Sequence, residues 1–233
     1  MLFRSLPPLL VTLAFAGLTY LQNDFSTAVF LLMLGLSLFF VARVRLRYIF
    51  LMFAAALPVG VYLLFSKEHR IRRILSFLEP GRDPVGADYQ ILAAKNALLK
   101  GGFWGTGIGQ GTRKLGGLPE AHSDFVFAVL GEELGYLGVV LVVLLFLAFA
   151  YRGYAIAGRR EDGYGFYLAF GATTCVLFQG LLNMAVVSGL VPATGIPLPF
   201  FSSGGSSVFI TLVLCGLLVH LSLSPGEADG AAY

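Results

Sequence analysis

The chain has 233 residues, of which 57% are hydrophobic and only 12% charged, with a net charge of +3. A soluble domain carries about 25% charged residues, so this composition cannot cover a globular surface and excludes a water-soluble fold. The small positive charge gives no nucleic-acid-binding surface. Two cysteines, Cys175 and Cys215, sit in apolar runs, which leaves no disulfide framework or cysteine metal cluster.

Six apolar runs follow one another along the chain. They cover about residues 6–21, 25–42, 48–65, 125–151, 164–190 and 208–223. A membrane-spanning helix needs about 20 predominantly apolar residues. Each run is continuously apolar rather than alternating, which favours helices over a β-barrel. The first run lacks a small-residue cleavage site and is followed by further spans, so no cleaved signal peptide is expected. The expected fold is all-α and polytopic: residues 1–224 form a single membrane domain, with a long polar loop over 66–123 between the third and fourth spans. Residues 225–233 are small and acidic and are expected to be a disordered tail.

Arginine sets the orientation. The loop after span two holds Arg43, Arg45 and Arg47, that after span four holds Arg152, Arg159 and Arg160, and Arg4 precedes span one. The short loops on the other side have no Lys or Arg. The positive-inside rule places the arginine loops and both termini in the cytoplasm. The loop 66–123 then lies outside; its nine Lys and Arg residues are tolerated because long loops translocate largely regardless of charge.

Within this loop, Arg70, Arg72 and Arg73 alternate with Ile71, Ile74, Leu75 and Leu78 at helical spacing. That is a basic amphipathic segment, read either as a helix end snorkelling at the headgroups or as a site for phosphate. A second short helix is expected over 88–100, with Tyr89, Leu92, Ala93, Asn96 and Leu99 on one stripe and Lys95 and Lys100 available to a headgroup. Eight glycines follow between Gly101 and Gly117. The run Gly105-Thr106-Gly107-Ile108-Gly109 lacks the strand and βαβ unit of a dinucleotide site. It reads as a flexible loop or as one permitting close approach of a ligand.

The loop closes on Glu120, His122 and Asp124, directly ahead of span four. Asp124 reads as an ordinary N-cap or as a general base, its carboxylate pKa raised by the low-dielectric flank. Glu132 and Glu133 fall inside span four. On a straight helix Glu132 lies roughly 12 Å below Asp124. Ionisable groups there mark a structural pairing or a ligand role. In span five, Gln179 and Asn183 share a face and are expected to hydrogen-bond between helices. The uncharged stretch 191–207 holds three prolines and three glycines. It is expected to be irregular, buried against protein, with Ser206 or Ser207 capping span six.

The run Leu118 to Gly135, LPEAHSDFVFAVLGEELG, closely resembles the outer-loop motif of the SEDS family (shape, elongation, division and sporulation). Gln22 to Ala28 resembles its QPDFGTA block, with Asn23 in place of proline and Ser26 in place of glycine. Arg70 to Arg73 through Asp88-Tyr89-Gln90, the Gly105 to Gly109 turn, and Gln179 to Asn183 followed by Thr194 to Ser207 match further blocks in order. The outer-loop block looks closer to the FtsW type and its sporulation relatives than to RodA. The resemblance implies the C-terminal part of a ten-helix fold, lacking about the first four helices. It implies a peptidoglycan glycosyltransferase of the bacterial cytoplasmic membrane acting on lipid II. Asp124 would be its catalytic base, and Arg70, Arg72, Arg73, Lys95, Glu120, His122 and Ser206 substrate-binding residues. Glu132, Glu133, Gln179 and Asn183 would give intramembrane support. It further implies a class B penicillin-binding transpeptidase and divisome or elongasome proteins as partners, and allows Mg or Mn as a cofactor. A lipid II flippase and a non-catalytic scaffold are the other functions open to such a chain.

Overall fold

The computed structural model describes residues 2–78, 87–111 and 123–223, and among these every regular element is a helix. Eight helices follow in order: α1 (Leu2–Leu21), α2 (Phe25–Val41), α3 (Leu46–Phe65), α4 (Glu68–Leu78), α5 (Ala87–Gly101), α6 (Val126–Gly158), α7 (Gly163–Val187) and α8 (Gly205–Ser222). Helices α1, α2, α3, α6, α7 and α8 fall on the six apolar runs. Of these, α3, α6, α7 and α8 are long and apolar enough to cross a membrane; Leu6–Leu21 and Phe25–Val41 are shorter apolar helices. The chain is thus an all-helical, multi-pass membrane protein, and the polar loop contains the two short helices α4 and α5.

The chain divides into two compact units, Met1–Leu92 with Gly189–Ile196, and Ala93–Ser188 with Pro197–Tyr233. In the first, α1 and α2 form a hairpin. Asp24 is the N-cap of α2, its carboxylate accepting from the Thr27 N–H at 3.0 Å and from the Thr27 hydroxyl at 2.6 Å. Asn23 stands before it at φ 64°, a conformation closed to proline, whose ring fixes φ near −65°. Helix α3 packs on α2 and α4, and Leu46, Phe50, Leu51, Phe53, Leu57, Val61 and Phe65 remain exposed along it.

In the second unit α6 and α7 run antiparallel in close contact. A Cβ on Gly153 would meet Thr173, and one on Gly180 would meet Phe146, in each case well inside van der Waals distance. These two contacts fix the register between the helices. Around them a core gathers Ala93, Ala94 and Ala97 of α5, Phe125, Phe127, Ala128, Val142 and Phe146 of α6 and its entry, Val176, Met184 and Val187 of α7, and Leu198. The loop 197–204 is buried in part: Leu198 is inaccessible, Pro199 fully buried and Ser202 nearly so, whereas Phe200 and Ser203 are exposed. Phe200 is held at φ 69° with its ring against Phe146 and Phe149.

Helix α6 is not one straight rod. Gly135 has φ 67° and ψ −164°, far from helical values. A Cβ on Gly131 would lie 3.3 Å from Val139 Cγ2, whereas eight residues of straight helix rise about 12 Å. The chain therefore bends sharply at Gly135, between residues 126–134 and 136–158.

Candidate active site at the entry to α6

The bend breaks the backbone ladder of α6, and the preceding glycine-rich loop fills the break. The Glu132 carbonyl accepts from the Thr106 N–H and hydroxyl, both at 3.0 Å, and the Glu133 carbonyl accepts from the Gly107 N–H at 3.1 Å. On the other side of the bend the Tyr136 N–H donates to the Gly102 carbonyl at 2.9 Å, and Leu137 N–H to that of Phe103 at 3.5 Å. Each pair replaces the i→i−4 partner that the helix has lost. The loop is thus spliced into the helix, and Gly105 is needed at the splice: its φ is +82°, and a Cβ there would collide with the Glu133 carbonyl. Of the flexible-loop and close-approach readings of these glycines, the structure gives close approach, to helix backbone.

The two acids at the break are held by this loop region. Glu132 is completely buried, and Lys100 Nζ lies 3.1 Å from its Oε1. Glu133 Oε2 accepts from the Gly109 N–H at 2.9 Å. Of the two roles open to Glu132, the structure shows an ion pair. Residues 126–134 are set at a sharp angle to the straight part of α6, so the rise from Asp124 to Glu132 does not run along the span.

Asp124 is half-buried and precedes the N-cap. That position falls on Phe125, which makes no side-chain cap. Its carbonyl accepts from Asn183 Nδ2 at 2.7 Å, which ties the entry of α6 to α7 four residues before that helix ends. Gln179 Nε2 donates to the Pro197 carbonyl at 3.1 Å. Both amides bind loop backbone. Glu120 and His122 lie outside the described residues.

The other expected site residues are dispersed. Lys95 is half-buried on α5. Ser206 is the second residue of α8 and exposed, and the cap position is Gly204 without a side-chain cap; neither Ser206 nor Ser207 caps this helix. In the first unit, Arg70 is 4% exposed. It donates to the Leu63 carbonyl at 2.7 Å and lies 4.9 Å from the Tyr20 ring and 5.0 Å from that of Phe25. It clamps α4 to α3 and the α1–α2 turn. Arg72 and Arg73 stay on the exposed face. Arg72 pairs with Glu68 at 2.7 Å, and hydrogen bonding from its guanidinium holds the Glu68 carboxyl below the usual carboxylate range. Arg73 reaches the Ala193 carbonyl at 3.4 Å. Among the described residues no three His, Cys, Asp or Glu side chains converge, so these residues offer no donor set that fits Mg or Mn.

The chain matches the cell cycle protein family of FtsW, RodA and SpoVE over residues 2–225. It belongs to this family. Over 215 residues, 92% of its length, it is 45% identical to the probable peptidoglycan glycosyltransferase FtsW of Borreliella burgdorferi, covering 59% of that protein. It is 39% identical to stage V sporulation protein E of Bacillus subtilis, across 86% of this chain and 55% of that one. Among solved structures it is similar to a chain of a peptidoglycan synthase complex described as coordinating polymerization and crosslinking. There the TM-score is 0.76 at 30% identity, covering 92% of this chain and 60% of that one. A mutant of the rod shape determining protein RodA from Thermus thermophilus gives a TM-score of 0.60 at 29% identity, covering 91% and 55%. This FtsW/RodA/SpoVE family member thus spans less than two thirds of the length of those relatives.

Sequence reasoning missed the break itself and the pairing of Lys100 with Glu132. The signal was there: a glycine three residues after a buried acid in a span, with a run of glycines and a lysine just upstream.

Proposed function

We propose that this chain carries the catalytic base of a peptidoglycan glycosyltransferase that polymerises lipid II. The observation that carries the reading is the setting of Asp124. It lies in the motif that resembles the family's outer loop, directly ahead of α6, and its main chain is pinned by Asn183. In this reading the Asp124 carboxylate takes the proton of the acceptor sugar hydroxyl. The hydroxyl oxygen then forms the new bond to the anomeric carbon of the donor, with inversion. The bond from that carbon to the pyrophosphate oxygen breaks, and undecaprenyl pyrophosphate leaves with the electron pair. Arg72 and Arg73, on the exposed face of α4, bind lipid phosphate, the chemistry guanidinium forks suit. The reaction takes place at the outer face of the bacterial cytoplasmic membrane, with the arginine loops inside. A class B penicillin-binding transpeptidase crosslinks the product, by analogy with the synthase complex whose chain is similar in fold.

The deciding experiment reconstitutes the purified chain in liposomes with labelled lipid II and resolves products by gel. Glycan strands are the expected result. Movement of lipid II between leaflets without polymer would make the chain a transporter, and neither outcome would make it a scaffold.

A further inference from the structure

Around the splice, the second unit exposes an apolar patch out of keeping with a polar loop. Trp104 is 79% exposed, Ile108 83%, Phe103 53% and Tyr136 59%. The rings are arranged rather than scattered. Phe103 stacks on Tyr136 with centroids 5.9 Å apart and packs edge-on against Trp104 at 5.2 Å. Tyr136 opens the straight part of α6, so the patch is continuous with the lipid-facing surface of a spanning helix. The level is also fixed from the other end. From Tyr136 to Arg159 the helix rises about 35 Å at 1.5 Å per residue, against a hydrocarbon core about 30 Å thick. With Arg159 and Arg160 in one headgroup layer, Tyr136, Phe103 and Trp104 stand in the other. Tryptophan and tyrosine concentrate at that depth, where an apolar ring and a polar N–H or O–H are both accommodated.

We infer that the loop 101–109 is an interfacial membrane anchor, with Phe103, Trp104 and Ile108 seated at the boundary of headgroups and acyl chains at the end of α6 opposite Arg159. Its occupant is phospholipid. Because Thr106 and Gly107 are hydrogen-bonded to Glu132 and Glu133, the anchor sets the depth at which the bent entry of α6 is held. This goes beyond the glycosyltransferase reading and does not depend on it.

Trp104 is the one tryptophan in the chain, so it reports its own depth with no substitution. The full chain is placed in vesicles of phosphatidylethanolamine and phosphatidylglycerol. Trp104 emission is read with acyl chains brominated near the headgroup, with acyl chains brominated at their middle, and with iodide in the water. The expected result is a blue-shifted emission, lost most strongly to the shallow bromines and little affected by iodide. Loss to iodide with none to either brominated lipid would overturn the anchor, placing the loop in water. Stronger loss to the mid-chain bromines would overturn the interfacial depth. Protection from all three quenchers, as beneath a protein partner, would overturn lipid as the occupant.

Discussion

Asp124 and Glu132 are acids eight residues apart with opposite settings. Asp124 is half-buried ahead of the helix, whereas Glu132 is sealed from solvent with the Lys100 ammonium at 3.1 Å. If Asp124 is the base, Asp124→Asn keeps the main-chain bond from Asn183 and the side-chain shape but loses the proton acceptor. Polymerisation of lipid II should fall by about 10²- to 10⁴-fold, the usual worth of general-base catalysis, with the thermal unfolding midpoint unchanged. A rate equal to that of the unsubstituted chain would remove Asp124 from the chemistry. For the buried pair the consequence is instability, and it is lopsided. Lys100→Met takes the ammonium from a fully buried carboxylate, and removing one partner of a buried pair costs about 3–5 kcal/mol. Glu132→Gln instead leaves an ammonium that is already 45% exposed and can turn to solvent. The lysine substitution should therefore lower the unfolding midpoint much further than the glutamate one; equal losses would show that the pair is not where the stabilisation lies.

At the scale of elements, the apolar runs were legible because bilayer thickness fixes their length, and α1, α2, α3, α6, α7 and α8 lie where composition placed them. The faces of α4 and α5 were not. Of the stripe Tyr89, Leu92, Ala93, Asn96 and Leu99 only Ala93 is buried, and α5 also buries Ala94, Ala97 and Gly101. On α4, Leu75 and Leu78 are exposed while Arg70 and Ser76 are buried. The reason is that apolar periodicity marks the face that avoids water, and in a membrane protein that face can meet lipid as well as protein. Small residues let backbones approach and are the better sign of helix contact there. The site was legible only in part for a related reason. Asp124 announces itself by its place beside a span, but the break at Gly135 rests on a backbone exchange that no periodicity encodes. That exchange can be tested at Gly105, where a side chain meets the Glu133 carbonyl at positive φ. Gly105→Ala should expose the amides of Thr106 and Gly107 to hydrogen exchange, while Gly102→Ala, with open space around it but φ +54°, should cause only mild local strain. Equal protection of Thr106 and Gly107 in Gly105→Ala and the unsubstituted chain would show that the splice does not depend on that glycine.

At the scale of the whole chain, the positive-inside reading predicts that the arginine loops lie on the opposite side of the membrane from the helices α4 and α5. With Cys175 and Cys215 replaced by serine, Gln110→Cys should react with an impermeant thiol reagent on intact cells, and Glu161→Cys only after the membrane is opened. Labelling in the reverse pattern would invert the orientation. The splice also imposes an order on synthesis. The carbonyls of Glu132 and Glu133 and the N–H groups of Tyr136 and Leu137 lack their helical partners, and a buried backbone group left unpaired costs free energy comparable to a lost hydrogen bond. Their replacements lie on residues 102–107, which leave the ribosome before α6 does. The gap in α6 is therefore closed by a segment that is already made. A fragment beginning at α6 would be synthesised with that gap open, so the folding of this unit depends on the loop ahead of it.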